Sequence, residues 1–220
     1  MTERWVVLDV GETLIDETRV WSTWADELGV PRLTFLAALG AIIARGGEHS
    51  EVFPMFDADD WPLRLPAVEA NYGGFSVDDL YPDALGAIDR LRADGYRLAI
   101  VANQPAARAD ELRAIGVDAE VMAMSEELGL AKPEPAFFER TLELMGAPDP
   151  ASVAYVGDRV DNDVMPAIDA GMRAVWLRRG PWGVIQRMPP NVSPALVVDS
   201  LEELARRIGE AWTPTSGAAA

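Results

Sequence analysis

A few carboxylates in this chain stand where a folded sheet would bring them together. Asp9 follows the apolar run Trp5-Val-Val-Leu8, and Gly157-Asp158 follows Ser152-Val-Ala-Tyr-Val156, with Asp161, Asn162 and Asp163 close behind. Ala102 and Asn103 end the run Arg97-Leu-Ala-Ile-Val-Ala102, and Lys132-Pro133 lies ahead of the helical pattern that leads to the Asp158 run. In an open parallel sheet, ligands bind outside the carboxyl ends of the strands, so these residues are expected at one edge. Three or more carboxylates there repel one another unless a hard cation joins them. Magnesium is the usual one, taking a few carboxylates and keeping some waters. One carboxylate placed for attack beside such a cation and a lysine suits phosphoryl transfer through an aspartyl intermediate. Lys132 stands out on composition too: it is the one lysine in a chain whose other Lys-plus-Arg residues, 19 in all with it, are arginines. The two cations are not chemically interchangeable.

The elements that must position these residues alternate between short apolar runs and helical patterns, which predicts an α/β fold with a parallel sheet. Strands are expected at 5–8, 97–102, 120–123, 152–156 and 173–177, with an edge strand at 196–198. Helices are expected from Pro82 to Ala93, Glu134 to Met145 and Leu201 to Ala211. The stretch from Ile15 to about Tyr81 breaks the alternation. It is helical in pattern over 20–28 and 33–45, then rich in acidic, aromatic and proline residues, and reads as a helical insertion after the first strand. The division expected is a core at 1–14 and 82–212, an insertion at 15–81 and a flexible tail at 213–220. Trp21, Trp24, Phe35 and the Phe53–Phe56 stretch are expected to build the insertion's own core.

Composition narrows the class further. The 220 residues carry 19 basic and 36 acidic side chains, a net charge of −17, with 49% hydrophobic residues. Such a chain can bury a real core, and its charge argues against nucleic acid or an anionic membrane surface as partner. There is no cysteine, which excludes disulfides and Cys-ligated metals. The start has no signal-peptide layout and the longest apolar run is too short to span a bilayer, so a cytoplasmic protein is expected.

Four short motifs in order give the chain a plain likeness. Leu8-Asp9-Val-Gly-Glu-Thr13-Leu14 resembles the Asp-x-Asp-Gly-Thr-Leu motif of the haloacid dehalogenase superfamily. Leu98-Ala-Ile-Val-Ala102-Asn103 resembles its strand ending in Ser or Thr, Lys132-Pro133 its lysine motif, and Val156-Gly157-Asp158-Arg-Val-Asp-Asn162-Asp163 its acidic metal loop. The insertion at about 15–81 falls where one branch of the family carries a helical cap. The resemblance implies a Rossmann-like core with Asp9 as nucleophile. It also implies Mg2+ held by Asp9, the Gly11 carbonyl, Asp158 and Asp163, with Lys132 neutralising the nucleophile and the phosphate. The strand-end positions Ala102 and Asn103, with Lys132, would meet the substrate.

Two departures bear on activity. The family's second motif-one aspartate, the acid and base of its phosphatases, is Gly11 here, and loss of such a group costs about 10²–10⁴ in rate. Ala102 supplies no hydroxyl where Ser or Thr is expected, at about 1.5–3 kcal/mol for a hydrogen bond to a charged group. Glu12 and His49 are the candidates to replace the acid; Asn103 and nearby amides, to replace the hydroxyl. Arg178 or Arg179 is a candidate grip on an anionic substrate, while Asp161 reads as a solvated loop residue. The reaction expected is hydrolysis of a small phosphate ester or acyl phosphate, with a small phosphorylated or otherwise anionic molecule as partner. The alternatives are a catalytically lapsed member acting by binding, and a dehalogenase, whose halide leaves without a proton.

Overall fold

The computed structural model describes residues 3–213. The tail expected at 213–220 lies, from residue 214 on, outside the described residues. In chain order the regular elements are β1 (Trp5–Leu8), α1 (Thr18–Glu27), α2 (Arg32–Ala44), α3 (Trp61–Tyr72), α4 (Ala84–Ala93) and β2 (Arg97–Ala102). Then come α5 (Arg108–Ala114), β3 (Val121–Met124), α6 (Ser125–Leu128), α7 (Pro135–Leu144), β4 (Val153–Gly157) and α8 (Met165–Asp169). The chain ends with β5 (Arg173–Leu177), α9 (Gly180–Ile185), β6 (Leu196–Val198) and α10 (Leu201–Arg207). A 3₁₀ helix covers His49–Phe56, and a turn of π-helix covers Val160–Val164.

The six strands form one parallel sheet in the order β3-β2-β1-β4-β5-β6. This is the expected Rossmann-like α/β architecture. β1 is apolar at every position because it is buried on both faces, as a central parallel strand must be. Trp5 and Val7 pack on one face with Phe137, Phe138 and Val164. Val6 and Leu8 pack on the other with Leu91, Leu112 and Leu204, the alternation that a two-residue period dictates. Strand order reverses at β1, between β2 and β4, so the crevice at the carboxyl ends of these three strands is where a ligand belongs.

The strand expectations hold to within a residue. β3 and β4 each begin one residue later than expected. Ser152 is drawn out of β4 because its N–H and hydroxyl both donate to the Asp149 carbonyl, at 2.8 and 2.7 Å. The last helix tightens to 3₁₀ geometry over Ile208–Trp212. α5, α8 and α9 were not legible as helices; each is at most seven residues long. Between β1 and β2 the chain forms α1 to α3 and the 3₁₀ helix around an apolar cluster of its own, in which Trp24, Phe35 and Phe53 are buried. Phe53 stacks on Trp61 at 4.9 Å between centroids. Trp182 of α9 closes that cluster from the sheet side. No single helix among the described residues is long and apolar enough to cross a membrane.

Two glycines test how tightly this frame is packed. A Cβ on Gly157, at the end of β4, would lie 2.3 Å from the Asp163 carboxyl, whereas one on Gly86 of α4 would meet nothing. Gly157→Ala is therefore expected to lower unfolding stability by about 1–3 kcal/mol through overpacking. Gly86→Ala should raise it by up to about 1 kcal/mol through helix propensity. Urea unfolding of both variants measures the contrast.

Candidate active site

The nucleophile candidate is set by the end of β1. The Asp9 N–H donates to the Val156 carbonyl at 2.9 Å, carrying the β1–β4 ladder one step past the strand. The chain then curls: the N–H groups of Thr13, Leu14 and Ile15 all turn back to the Val10 carbonyl, at 3.2, 2.8 and 3.0 Å. This tight loop leaves the Asp9 carboxylate facing the crevice with only 7% of the residue exposed.

Lys132 sits opposite. Its Nζ lies 2.7 Å from Asp9 Oδ1 and 2.6 Å from Asp163 Oδ1. The Tyr155 ring lies beneath it at 5.7 Å. Burial alone would push the ammonium toward neutrality, but the carboxylates of Asp163 and Asp9 outweigh it and hold Lys132 charged. Asn103 fixes the lysine's backbone on both sides: its Oδ1 accepts the Lys132 N–H at 2.8 Å and its Nδ2 donates to the Lys132 carbonyl at 2.9 Å. Asp163 is held in turn, since its second oxygen accepts the Arg159 N–H at 2.9 Å.

Three buried carboxyls, Asp9, Asp158 and Asp163, each place an oxygen within 4.8 Å of the others. One ammonium cannot neutralise all three. Burial and the neighbouring carboxylates push Asp158 well above the usual carboxylate range. Asp9 is pushed up to about 6 by burial, with Lys132 opposing and Asp163 adding to the rise. Asp158 Oδ2 is buried and without a hydrogen-bond partner. An orphaned carboxylate oxygen in an all-oxygen donor set is what a hard divalent cation requires, so the residues fit Mg²⁺.

Above these groups lies a cavity of about 450 Å³, lined on the sheet side by Asp9, Gly11, Asn103, Lys132, Asp158 and Asn162. Its opposite wall is Trp21, Trp24, Glu48 and His49 from the helical segment, with Arg159 and Trp182 at the side. Arg159 grips Asp161 with two hydrogen bonds, 3.0 and 2.8 Å, and its guanidinium lies 3.8 Å from Glu48. Asp161 is thus the arginine's partner.

The structure brings together Asp9, Gly11, Asn103, Lys132, Asp158 and Asp163. Ala102 is the exception. It is 1% exposed, packed into the apolar layer beneath, and lends the cavity no side chain, so its expected place at the substrate is corrected to a core position. Asn103 does reach the cavity, but its amide oxygen and one amide hydrogen are engaged by Lys132. The arginine grip is corrected as well. Arg179 binds the Thr13 carbonyl at 3.2 Å and Asp83 at 2.6 Å, and Arg178 pairs with Asp199. Of the acid candidates, Glu12 accepts the Tyr81 hydroxyl at 2.5 Å and the Glu17 N–H at 3.1 Å, which ties it to the frame. His49 lies edge-on to Trp21 at 5.6 Å, and burial with Arg159 nearby lowers its pKa. Trp21, expected only as packing, forms part of the cavity wall.

Sequence reasoning missed Glu17, Gln104, Arg159 and Trp182. Glu17 is the residue just before α1, and its carboxyl accepts from Trp21 Nε1 and Gln104 Nε2, each at 3.3 Å. Burial, with Glu12 and Asp9 near, pushes it up to about 7. No spacing in the sequence signalled it; its carboxyl lies where a side chain on Gly11 would stand.

Residues 3–171 match the family model for haloacid dehalogenase-like hydrolases. The chain is 32% identical over 168 residues to a glyceraldehyde 3-phosphate phosphatase of Methanopyrus kandleri, covering 72% of each chain. It is 34% identical over 128 residues to a phosphoserine phosphatase of Thermus thermophilus, covering 57% of this chain and 49% of that one. A solved phosphatase of the same superfamily from Thermococcus onnurineus aligns with a TM-score of 0.61 at 25% identity, covering 94% of this chain and 98% of that one. The chain belongs to the haloacid dehalogenase-like hydrolase family, and its named relatives place it among that family's phosphatase-type hydrolases.

Glu17 gives this site a signature in stability. An acid whose folded pKa is raised from 4.5 to about 7 loses stability as pH climbs between those values, because the unfolded chain ionises first. The melting temperature of wild type should therefore fall relative to Glu17→Gln from pH 4.5 to pH 7 and run parallel to it below that window. Paired thermal melts across the range measure it.

Proposed function

We propose that this chain is a Mg²⁺-dependent phosphatase acting on a small phosphorylated molecule, an ester or an acyl phosphate. The observation that carries the reading is Lys132 held between Asp9 and Asp163 at the floor of the cavity. That arrangement keeps one carboxylate oxygen of Asp9 fixed and ionised beside a cation, in a water-poor crevice where charge stabilisation is strong. The relatives named above are phosphatases of small phosphorylated metabolites, which suits a cavity of about 450 Å³.

In this reading Asp9 attacks phosphorus, the bond to the leaving oxygen breaks, and water then cleaves the aspartyl phosphate, releasing phosphate and restoring Asp9. Lys132 balances the charge that gathers on Asp9 and the phosphoryl oxygens. Asp9, the Gly11 carbonyl and Asp158 would hold Mg²⁺, with Asp163 behind them. The ion, when bound, offsets the carboxylates' charge and polarises the phosphoryl group. Residues 15–81 act as a cap over the core formed by 1–14 and 82–212, its tryptophans excluding water and shaping the substrate side.

The orphaned oxygen of Asp158 speaks for a cation site, which a dehalogenase's halide chemistry does not need. The test is hydrolysis of acetyl phosphate and an aryl phosphate with Mg²⁺, with EDTA, and by Asp9→Asn. Turnover is expected that disappears with EDTA and falls to background in Asp9→Asn. Turnover that survives both controls, or none by wild type with Mg²⁺, would overturn the reading.

A further inference from the structure

Gly11 poses a question that its backbone does not answer. Its φ lies outside the left-handed region that demands glycine, so the chain's conformation there permits a side chain. What stands in the way of one is the Glu17 carboxyl, which would have to move aside. A Cβ on Gly11 would lie 2.4 Å from Glu17 Oε1, 2.9 Å from its Cδ and 3.4 Å from Oε2. The space that a short side chain at position 11 would occupy is filled by a carboxyl arriving from six residues further along.

That carboxyl faces the same cavity as Asp9. Trp21 Nε1 and Gln104 Nε2 each donate to one of its oxygens at 3.3 Å, which orients it from α1 on one side and the β2 end on the other. Both contacts are long, leaving Glu17 able to exchange a partner when a substrate enters. Glu12 cannot do this work, being bound by the Tyr81 hydroxyl and the Glu17 N–H.

We infer that Glu17 is the catalytic proton-transfer group of this site, handling the proton from the space over Gly11. The inference rests on the phosphatase reading. In the first step Asp9 Oδ attacks phosphorus, the bond from phosphorus to the leaving oxygen breaks with its electron pair on that oxygen, and the Glu17 carboxyl donates the proton. In the second, the Glu17 carboxylate takes a proton from water as that water's oxygen attacks phosphorus. The bond from phosphorus to Asp9 then breaks, releasing phosphate and leaving Glu17 protonated for the next cycle.

The experiment compares two probes that differ in their need for a proton. Glycerol phosphate has a poor alkoxide leaving group and acetyl phosphate a good one. In Glu17→Gln, kcat/KM for glycerol phosphate is expected to fall by about 10²–10⁴ and for acetyl phosphate by less than about tenfold. Acetyl phosphate should also give a burst of acetate, because aspartyl phosphate forms faster than water clears it. Equal losses on both probes without a burst would overturn the assignment. Turnover of acetyl phosphate that persists in Asp9→Asn would overturn the phosphatase reading instead.

A second pair of variants keeps the test independent of Glu17→Gln folding well. Gly11→Asp alone should lose activity, since two carboxyls contend for one space. Gly11→Asp combined with Glu17→Ala should hydrolyse glycerol phosphate at least about tenfold better than Glu17→Ala alone, because the acid has been returned to the same space from the other side. A double variant no better than Glu17→Ala would overturn the claim that the proton is handled there.

Discussion

The site hangs on one buried ammonium. Lys132 is almost inaccessible to solvent, and a charge in that position persists only if it is paired and hydrogen-bonded. Asp9 and Asp163 provide the pairing, and only the loss of both would strip the ammonium of its carboxylate partners. The surroundings make sense as supports for this pair of contacts. Asn103 fixes the lysine's backbone from the end of β2, and the Arg159 N–H fixes Asp163 from the loop after β4. Gly157 leaves room for Asp163, whose carboxyl would otherwise meet a Cβ. Three neighbouring strands therefore each contribute an end residue or loop to a single charge arrangement. Only a parallel sheet with β1 between β2 and β4 brings those ends together.

The same arrangement is unfinished in charge. Three carboxyls face one ammonium among themselves, and Glu12 and Glu17 stand just beyond. In a chain carrying a net charge of −17, no long-range field would draw a phosphate toward this crevice. Affinity for an anion must come from cations held locally. Lys132 is one; the buried, partnerless oxygen of Asp158 is an acceptor that a second cation would match. The arginines near the edge do not fill the gap. Arg179 holds the loop after β1 to Asp83, and Arg159 is occupied by Asp161.

Much of this could be read from the chain beforehand. The strands were legible because buried parallel strands are runs of apolar β-formers, and Asp9, Lys132 and Asp158 were legible because they follow such runs or stand alone in type. Short helices such as α9 were not, since six residues carry too little periodicity, and Trp182 on it was overlooked beside the arginines that precede it. Ala102 was misplaced because a strand end indicates the edge of the sheet but not which face the last side chain takes. Glu17 was illegible for a different reason. Its role comes from a contact across a loop, and no spacing rule connects a glycine at 11 with a glutamate at 17.

That contact depends on how the loop between them is braced. Glu12 lies between the two residues with a positive φ of 52°, an uncommon conformation for a side chain of its size. Its buried carboxylate compensates for this by binding the Glu17 N–H with one oxygen and the Tyr81 hydroxyl with the other. Gly180 must lack a side chain for the same reason, as a Cβ there would lie 2.4 Å from Glu12 Oε2. Glu17 is thus anchored to the loop after Asp9 through its backbone, although its side chain is steadied by Trp21 of the helical segment. The Glu17 backbone is therefore held near Asp9 by a short chain of hydrogen bonds through Glu12. The helices that follow set the shape of the cavity above it.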